Sequence, residues 1–346
     1  MSQNKFILID GSSMLVTNYY GNLPKALLFE KDPEKKQKLF SQIMHNEEGQ
    51  YTNAMYGMMR TILKIIDEQK PTHMMFAFDM TRDTFRRAKY ADYKGNRGDT
   101  PEPLKEQFQN MEDMLKEMGF QVMADNNYEA DDIVGSVVSK FEKEIPSYII
   151  TKDHDYLQLV SEYTRVWLIQ TKQETADELQ TKYSAEYGWN NKMVKLPDKA
   201  FEVTPQLCLS EYGVNPWQIP DLKGIQGDNS DNIPGVKGVS SAAMPLLAEF
   251  GTVEGIYEAI DSCAGDAKKI KELGAYWKES LGISRSPMKA LTEYRDMAFL
   301  SKDLAMIRRD YAFNKELDDF RISINVDKAK EQFEKYGFKS LMEKLK

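Results

Sequence analysis

The residues best suited to chemistry in this chain are carboxylates. Glu129, Asp131 and Asp132 open an apolar helical pattern, and after a short turn the apolar run 147–150 stops at Thr151-Lys152-Asp153-His154-Asp155. One helix–turn–strand unit could bring these five acids together. Carboxylates so close repel one another and stay protonated unless cations neutralise them. A cluster of oxygen ligands suits a hard divalent cation such as Mg²⁺ or Mn²⁺. Helix capping is the plainer explanation of the first three, because acids are favoured in first helical turns.

The elements around them sharpen the reading. Lys5–Ile9 is an apolar strand ending at Asp10-Gly11, and Met74–Phe78 is a second one ending at Asp79. The run 147–150 is a third, and Tyr163–Ile169 resembles another strand. Between the first two, Met55, Met58, Met59, Ile62, Leu63, Ile65 and Ile66 recur at helical spacing, as do Leu104, Phe108, Met111, Met114, Leu115 and Met118 further on. Apolar strands alternating with helices predict an α/β fold with a mainly parallel sheet covered on both faces. In such folds sites form outside the carboxyl ends of the strands. Three strands ending in Asp therefore carry more weight than any single acid.

Residues 82–97 hold Arg82, Arg86, Arg87, Lys89, Lys94 and Arg97 with Phe85, Tyr90 and Tyr93 interleaved. Basic plus aromatic is the chemistry of a surface that tracks phosphates and stacks bases, although a solvated helix uses the same residues. In the stretch 224–239, Asp228 and Asp231 are three apart and would share one face of a helical turn. A Pro-Gly-Val-Lys-Gly hairpin follows, with an apolar helix from about residue 242 to 250. A glycine hairpin between helices can present N–H groups to phosphates, and a tight structural turn has the same composition. Thr204 reads as a helix cap with Pro205 at the first helical position. Residues 21–50 read as a solvated, partly helical excursion, 171–200 as an aperiodic polar loop, and 264 onward as charged helix without a site.

Composition limits the alternatives. The chain has 346 residues, 41% apolar, with a net charge of −8. That charge excludes a wholly basic nucleic-acid binder but leaves room for a local basic patch. No apolar run reaches the roughly 18–20 residues of a membrane span. Cys208 and Cys263 form no metal spacing, which fits a reducing cytoplasm. No phosphate-loop or dinucleotide fingerprint occurs, and no Ser or Cys nucleophile has a convincing histidine partner.

Taken together, Ile9-Asp10-Gly11, Phe78-Asp79, Tyr93-Lys94-Gly95-Asn96-Arg97, Tyr128-Glu129-Ala130-Asp131-Asp132, Thr151-Lys152-Asp153-His154-Asp155 and the stretch 227–237 resemble, in order, the motifs of the 5′-nuclease family. These are 5′→3′ exonucleases and flap endonucleases, including the nuclease domain linked to bacterial DNA polymerase I. The resemblance implies a PIN-like core over residues 1–200 with a helical arch at about 80–120. It also implies a helix–three-turn–helix and C-terminal helical region over 201–346. It places Asp10, Asp79, Glu129, Asp131 and Asp132 at a first metal, and Asp153, Asp155, Asp228 and Asp231 at a second. It gives Lys94 and Arg97 a catalytic role on the scissile phosphate, and DNA contacts to Arg86, Arg87, Tyr93, Gly235, Val236, Lys237 and Gly238. Tyr93 would stack on a terminal base. The implied cofactor is Mg²⁺, two or more ions with Mn²⁺ able to substitute, and K⁺ at the hairpin. The implied partner is DNA with a 5′ flap or 5′ end, or an RNA primer, met by a cytoplasmic monomer. Removal of flaps and primers in replication and repair is the implied process.

The chain departs from the family pattern in three places. His154 stands where the family often has Lys, the stretch 239–245 is one residue short and lacks a lysine, and 171–200 is longer than the usual connection. Pro245 is tolerable only within a first helical turn. Two other functions compete: a PIN-type ribonuclease, and a DNA-binding protein with a dead site. The duplex-gripping stretch 227–237 argues against the first, and the nearly complete acid set against the second.

Overall fold

Alternation along the strands builds a sheet with two covered faces. The computed structural model describes residues 4–187 and 196–345. Its strands are β1 (Phe6–Asp10), β2 (His73–Asp79), β3 (Gln121–Asp125), β4 (Ser147–Thr151), β5 (Thr164–Ile169) and β6 (Ala200–Val203). They lie in the order β3-β2-β1-β4-β5-β6, all parallel except β6, which runs antiparallel to β5. Phe6 and Leu8 point to one face and Ile7 and Ile9 to the other, as the two-residue period of a strand requires. Both faces being buried is why β1, β2 and β4 read as unbroken apolar runs.

Helices α1 (Gly11–Gly21), α2 (Asn53–Gln69) and α3 (Glu102–Glu117) cover the face of Ile7 and Ile9. Helix α4 (Ala130–Phe141) covers the other, and its core continues through Val253 to Trp277 in the C-terminal helices. Two of those, α5 (Ile219–Gln226) and α6 (Ser240–Phe250), flank the hairpin. Thr204 caps the helix Pro205–Tyr212 as expected, accepting from the Leu207 N–H at 3.2 Å. No helix among the described residues is long and apolar enough to cross a membrane.

Several expectations change. Strand β3 has no counterpart among the strands expected from the sequence. It is an edge strand, only half-buried, and follows α3 after a tight turn. Within 171–200 the chain forms a helix, Gln173–Tyr187, rather than a loop; residues 188–195 of that expectation lie outside the described residues. Its Glu, Leu, Gln, Lys and Ala content favours helix without an amphipathic period. After α7 (Arg295–Ala305) the chain is not continuous helix. Residues 306–316 form neither helix nor strand, and Ile322 N–H donates to the Thr72 carbonyl at 3.0 Å beside β2. The segment expected as an arch is a five-residue helix, Phe85–Lys89, followed by turns, while α3 buries Leu104, Met111 and Met114 in the core. Pro245 lies in the sixth position of α6, past the first turn, and the helix nonetheless runs to Phe250.

Candidate active site

Parallel pairing places the strand-end acids side by side. In the β1–β2 register Asp10 faces Ala77, two residues before Asp79. Asp10 caps α1: one carboxylate oxygen accepts the Ser13 N–H at 2.9 Å and the other the Thr151 hydroxyl at 3.0 Å, from the end of β4. Asp79 accepts the Ala130 N–H at 2.9 Å, tying β2 to the start of α4. Asp153 follows β4 and accepts the Asp155 N–H at 2.8 Å.

Glu129 is the N-cap of α4, and Asp132 completes a capping box with it. Asp132 is fully buried, and both its oxygens are saturated. They accept two bonds at 2.7 Å from the Arg86 guanidinium, one at 2.7 Å from the Arg308 N–H and one at 3.1 Å from the Glu129 N–H. Arg86 is 1% exposed and also donates to the Leu304 and Met306 carbonyls at 2.9 and 2.8 Å. Two expectations are corrected here. Arg86 is not a DNA-facing residue, and Asp132 has no lone pair left for a metal. Together they fix the start of α4, and with it Glu129 and Asp131.

The basic segment docks on the loop 228–233. Reciprocal 2.8 Å backbone bonds between Asp228 and Ile233 close that loop, so Asp228 and Asp231 sit on a closed turn rather than a helical face. Gly227 and Gly235 cross so closely that a Cβ on Gly235 would collide with the Gly227 nitrogen, and both have positive φ. Lys94 takes the left-handed conformation, φ 54°, while its N–H donates to the Asp231 carbonyl at 2.8 Å. Asn232 donates to the Asp92 carbonyl at 2.7 Å and Asn96 to the Asn229 carbonyl at 2.5 Å. Lys94 Nζ lies 2.6 Å from Glu129, and Arg97 pairs with Asp231. Tyr93 is buried, its hydroxyl 3.2 Å from both Glu129 and Asp231, so its ring is not presented for stacking in this arrangement. Arg87 is exposed and paired with Asp83 at 3.1 Å. At the hairpin, the Gly235 N–H is used by Ser301 and the Val236 N–H by the Ile225 carbonyl, which corrects their assignment as phosphate donors. Lys237 and Gly238 remain exposed.

Two residues of the site carry no signal in the sequence. Lys223 on α5 pairs with Asp155 and lies 2.5 Å from Asp228. Tyr156, one residue past Asp155, is buried with a hydroxyl that has no hydrogen-bond partner among the described residues. Asp155 comes to Lys223 from beyond β4, although Asp228 lies only five residues past Lys223.

Electrostatics divides the acids. Burial and the neighbouring Asp79 push the Asp10 carboxyl up to about 7. Burial and Asp132 push Asp131 well up, and burial and Asp231 raise Asp153 against the pull of Lys223. Burial also pushes on Glu129, but Lys94 and Arg86 outweigh it and hold that carboxyl down. Asp228 is lowered to about 2, burial again being overcome by Lys223. Among the described residues no three acids or histidines converge closely enough to form a ready coordination cage. The donor chemistry still fits a hard divalent cation. Asp10, Asp79, Asp131 and Asp153 have only hydroxyl or backbone partners, and these same four carboxylates act on the orphaned Tyr156 hydroxyl. Like charges stand apart until a cation draws them together.

The family model described as 5′-3′ exonuclease, N-terminal resolvase-like domain matches residues 5–187, and that described as 5′-3′ exonuclease, C-terminal SAM fold matches 214–328. DNA polymerase I of Bacillus caldotenax is 34% identical over 346 residues, spanning 99% of this chain and 32% of that protein. DNA polymerase I of Bacillus subtilis is 31% identical over the same coverage. The chain thus spans about a third of the length of the curated relatives it matches. Among solved structures, the T5 D15 protein co-crystallised with metal ions has a TM-score of 0.57 at 16% identity, covering 99% of this chain and 100% of that one. The catalytic core of Rad2 in complex with DNA substrate has a TM-score of 0.56 at 15% identity, covering 99% and 92%. These two likenesses establish the fold.

Proposed function

We propose a function on one premise: the chain belongs to the 5′-3′ exonuclease family. It hydrolyses DNA phosphodiester bonds at 5′ ends and 5′ flaps, with Mg²⁺ as cofactor and Mn²⁺ able to replace it. The observation that carries this reading is the set of four carboxylates without a basic partner, Asp10, Asp79, Asp131 and Asp153, which stand at the ends of β1 and β2, just past β4 and in the first turn of α4. Those four would hold divalent ions, with Glu129, Asp155, Asp228 and Asp231 completing the shell from positions now neutralised by Lys94, Lys223 and Arg97. When bound, such ions lower the pKa of water and neutralise charge on the departing oxygen of a phosphodiester.

The chain's own residues do the rest. Lys94 is the cation nearest Glu129, and its left-handed backbone holds the ammonium beside the acids instead of in solvent. Arg97 is half-exposed and can meet a phosphoryl oxygen from the open side. Lys237 and Gly238 offer the exposed part of the hairpin to a duplex backbone, with K⁺ as the monovalent ion there. Residues 1–200 act as the catalytic core and 201–346 as the DNA-gripping part, in a cytoplasmic monomer that removes flaps and RNA primers in replication and repair.

One observation favours a second reading, a binding protein without catalysis: basic side chains already occupy five of the nine acids, including Asp132. A 5′-labelled flap duplex and a matched single-stranded RNA, each with Mg²⁺ and with EDTA, separate the two. Mg²⁺-dependent cutting near the flap junction is the expected result. Binding of the flap without cutting, in Mg²⁺ or Mn²⁺, would support the second reading, and cutting of the RNA alone would contradict both.

A further inference from the structure

A cleft of about 500 Å³ opens between α1, α2 and the carboxyl ends of β4 and β5, with residues 197–199 as its outer wall. Arg60, Lys152, Lys199 and Lys344 line it, all exposed and none ion-paired with a carboxylate among the described residues. Lys64 also lines it, paired with Asp198 at 2.5 Å and with Glu68 at 4.0 Å, the two acids in the lining.

The position of this cleft matters more than its charge alone. Its inner wall is Ser13 and Thr151, the two residues that hydrogen-bond the Asp10 carboxylate. It lies on the face of the sheet covered by α1 and α2, with Met14, Ile65 and Ile150 in its floor. The Lys94–Arg97 segment meets the acids from the opposite face, where α4 packs. The acidic cluster is therefore bracketed by cations on both sides of the sheet edge. A polyanion crossing that cluster is repelled at its middle, and attraction on one side only would leave the far side of the strand unheld.

We propose that this cleft is a second phosphate-binding site, which holds the backbone of a nucleic-acid strand beyond the reacting bond, on the side away from Lys94 and Arg97. The strand passes over the carboxyl edge of the sheet from one cationic bank to the other. The inference rests on the nuclease reading and names where its substrate leaves the acids.

The test is the triple variant Arg60→Ala/Lys199→Ala/Lys344→Ala, whose side chains are all exposed and outside the acid cluster, with its fold checked by circular dichroism. Flap-duplex binding is measured by fluorescence anisotropy in EDTA across a salt series, and cleavage in Mg²⁺ gives KM and kcat separately. Each lost phosphate contact lowers the slope of log affinity against log salt by roughly 0.7–0.9, so a drop of about 2 is expected. KM should rise roughly tenfold with kcat nearly unchanged, the signature of lost uniform binding. The duplex is then trimmed on each side in turn to end at the cleaved bond, and the defect of the triple substitution should vanish for one of the two trims. Unchanged slope and KM, or an equal defect on both trimmed substrates, would overturn the cleft while leaving the nuclease reading intact. If the wild-type protein neither binds nor cuts the flap duplex, the nuclease reading fails first and takes the cleft with it.

Discussion

Asp10, Asp79, Asp131 and Asp153 share one sheet edge with Glu129, Asp132, Asp155, Asp228 and Asp231, yet the two groups live under opposite electrostatics. The first group has hydroxyls and backbone N–H groups for partners, and its perturbed members titrate upward. The second is met by Lys94, Arg86, Lys223 and Arg97, and its perturbed members, Glu129 and Asp228, titrate downward. Depth does not separate them, since Asp10 and Glu129 are almost equally buried at 6% and 5% exposure. What separates them is whether a basic side chain pairs directly with the carboxylate. The first group makes no ion pair among the described residues, and the second is already paired within the chain.

The comparison can be broken most severely at Asp153. Asp153→Asn should cost cleavage more than the roughly 10–100-fold that losing an outer partner costs a metal site, while DNA binding by anisotropy stays within a few-fold. Undiminished cleavage would remove Asp153 from the metal group. Next comes Arg86 in the assembled group. Arg86→Met strands the Asp132 charge in the core and should lower urea stability by about 3–5 kcal/mol; adding Asp132→Leu should restore much of it. A smaller effect of opposite sign is expected at the boundary. Tyr156→Phe deletes a buried hydroxyl with no partner, so in EDTA it should stabilise the protein by about 1–3 kcal/mol, an advantage that shrinks in Mg²⁺. The smallest change should be Arg87→Ala, which loses only an exposed pair with Asp83 and should stay within about 0.5 kcal/mol of wild type.

Much of this is legible in the chain itself. Strands β1, β2 and β4 announce themselves because parallel strands buried on both faces must be apolar throughout, and their terminal acids stand out against that run. Strand β3 does not, since an edge strand with Gln121, Val122 and Ala124 half-exposed lacks such a run. Arg86 looks in sequence like its basic neighbours Arg87 and Lys89. Its burial depends on carbonyls of Leu304 and Met306, 218 and 220 residues away, which no local pattern encodes. Lys223 is hidden in the same way with respect to Asp155, which reaches it from beyond β4. The acids themselves are readable, but their division into two groups is a property of the folded neighbourhood.

That division has a pH signature. The Asp10 carboxyl titrates near 3.8 when unfolded and near 7 when folded, so the native state keeps a proton that the unfolded chain loses between those values. Its contribution to stability is fully present below about pH 4 and is lost as pH rises through about 7. Asp228, lowered to about 2, contributes above about pH 4 and loses that contribution as pH falls toward 2. In EDTA at pH 8 the Asp10→Asn protein should therefore be more stable than wild type, although the substitution removes a carboxylate proposed to hold a metal.

The most direct measurement is the urea midpoint of wild type and Asp10→Asn at pH 8, each in EDTA and in Mg²⁺. Ligand that binds only the folded state raises stability with its concentration. The account predicts that Asp10→Asn is the more stable protein in EDTA, and that Mg²⁺ raises the midpoint of wild type by clearly more than it raises that of Asp10→Asn. Equal Mg²⁺ shifts in the two proteins, or no shift in wild type, would contradict the claim that the base-free acids are held for a metal.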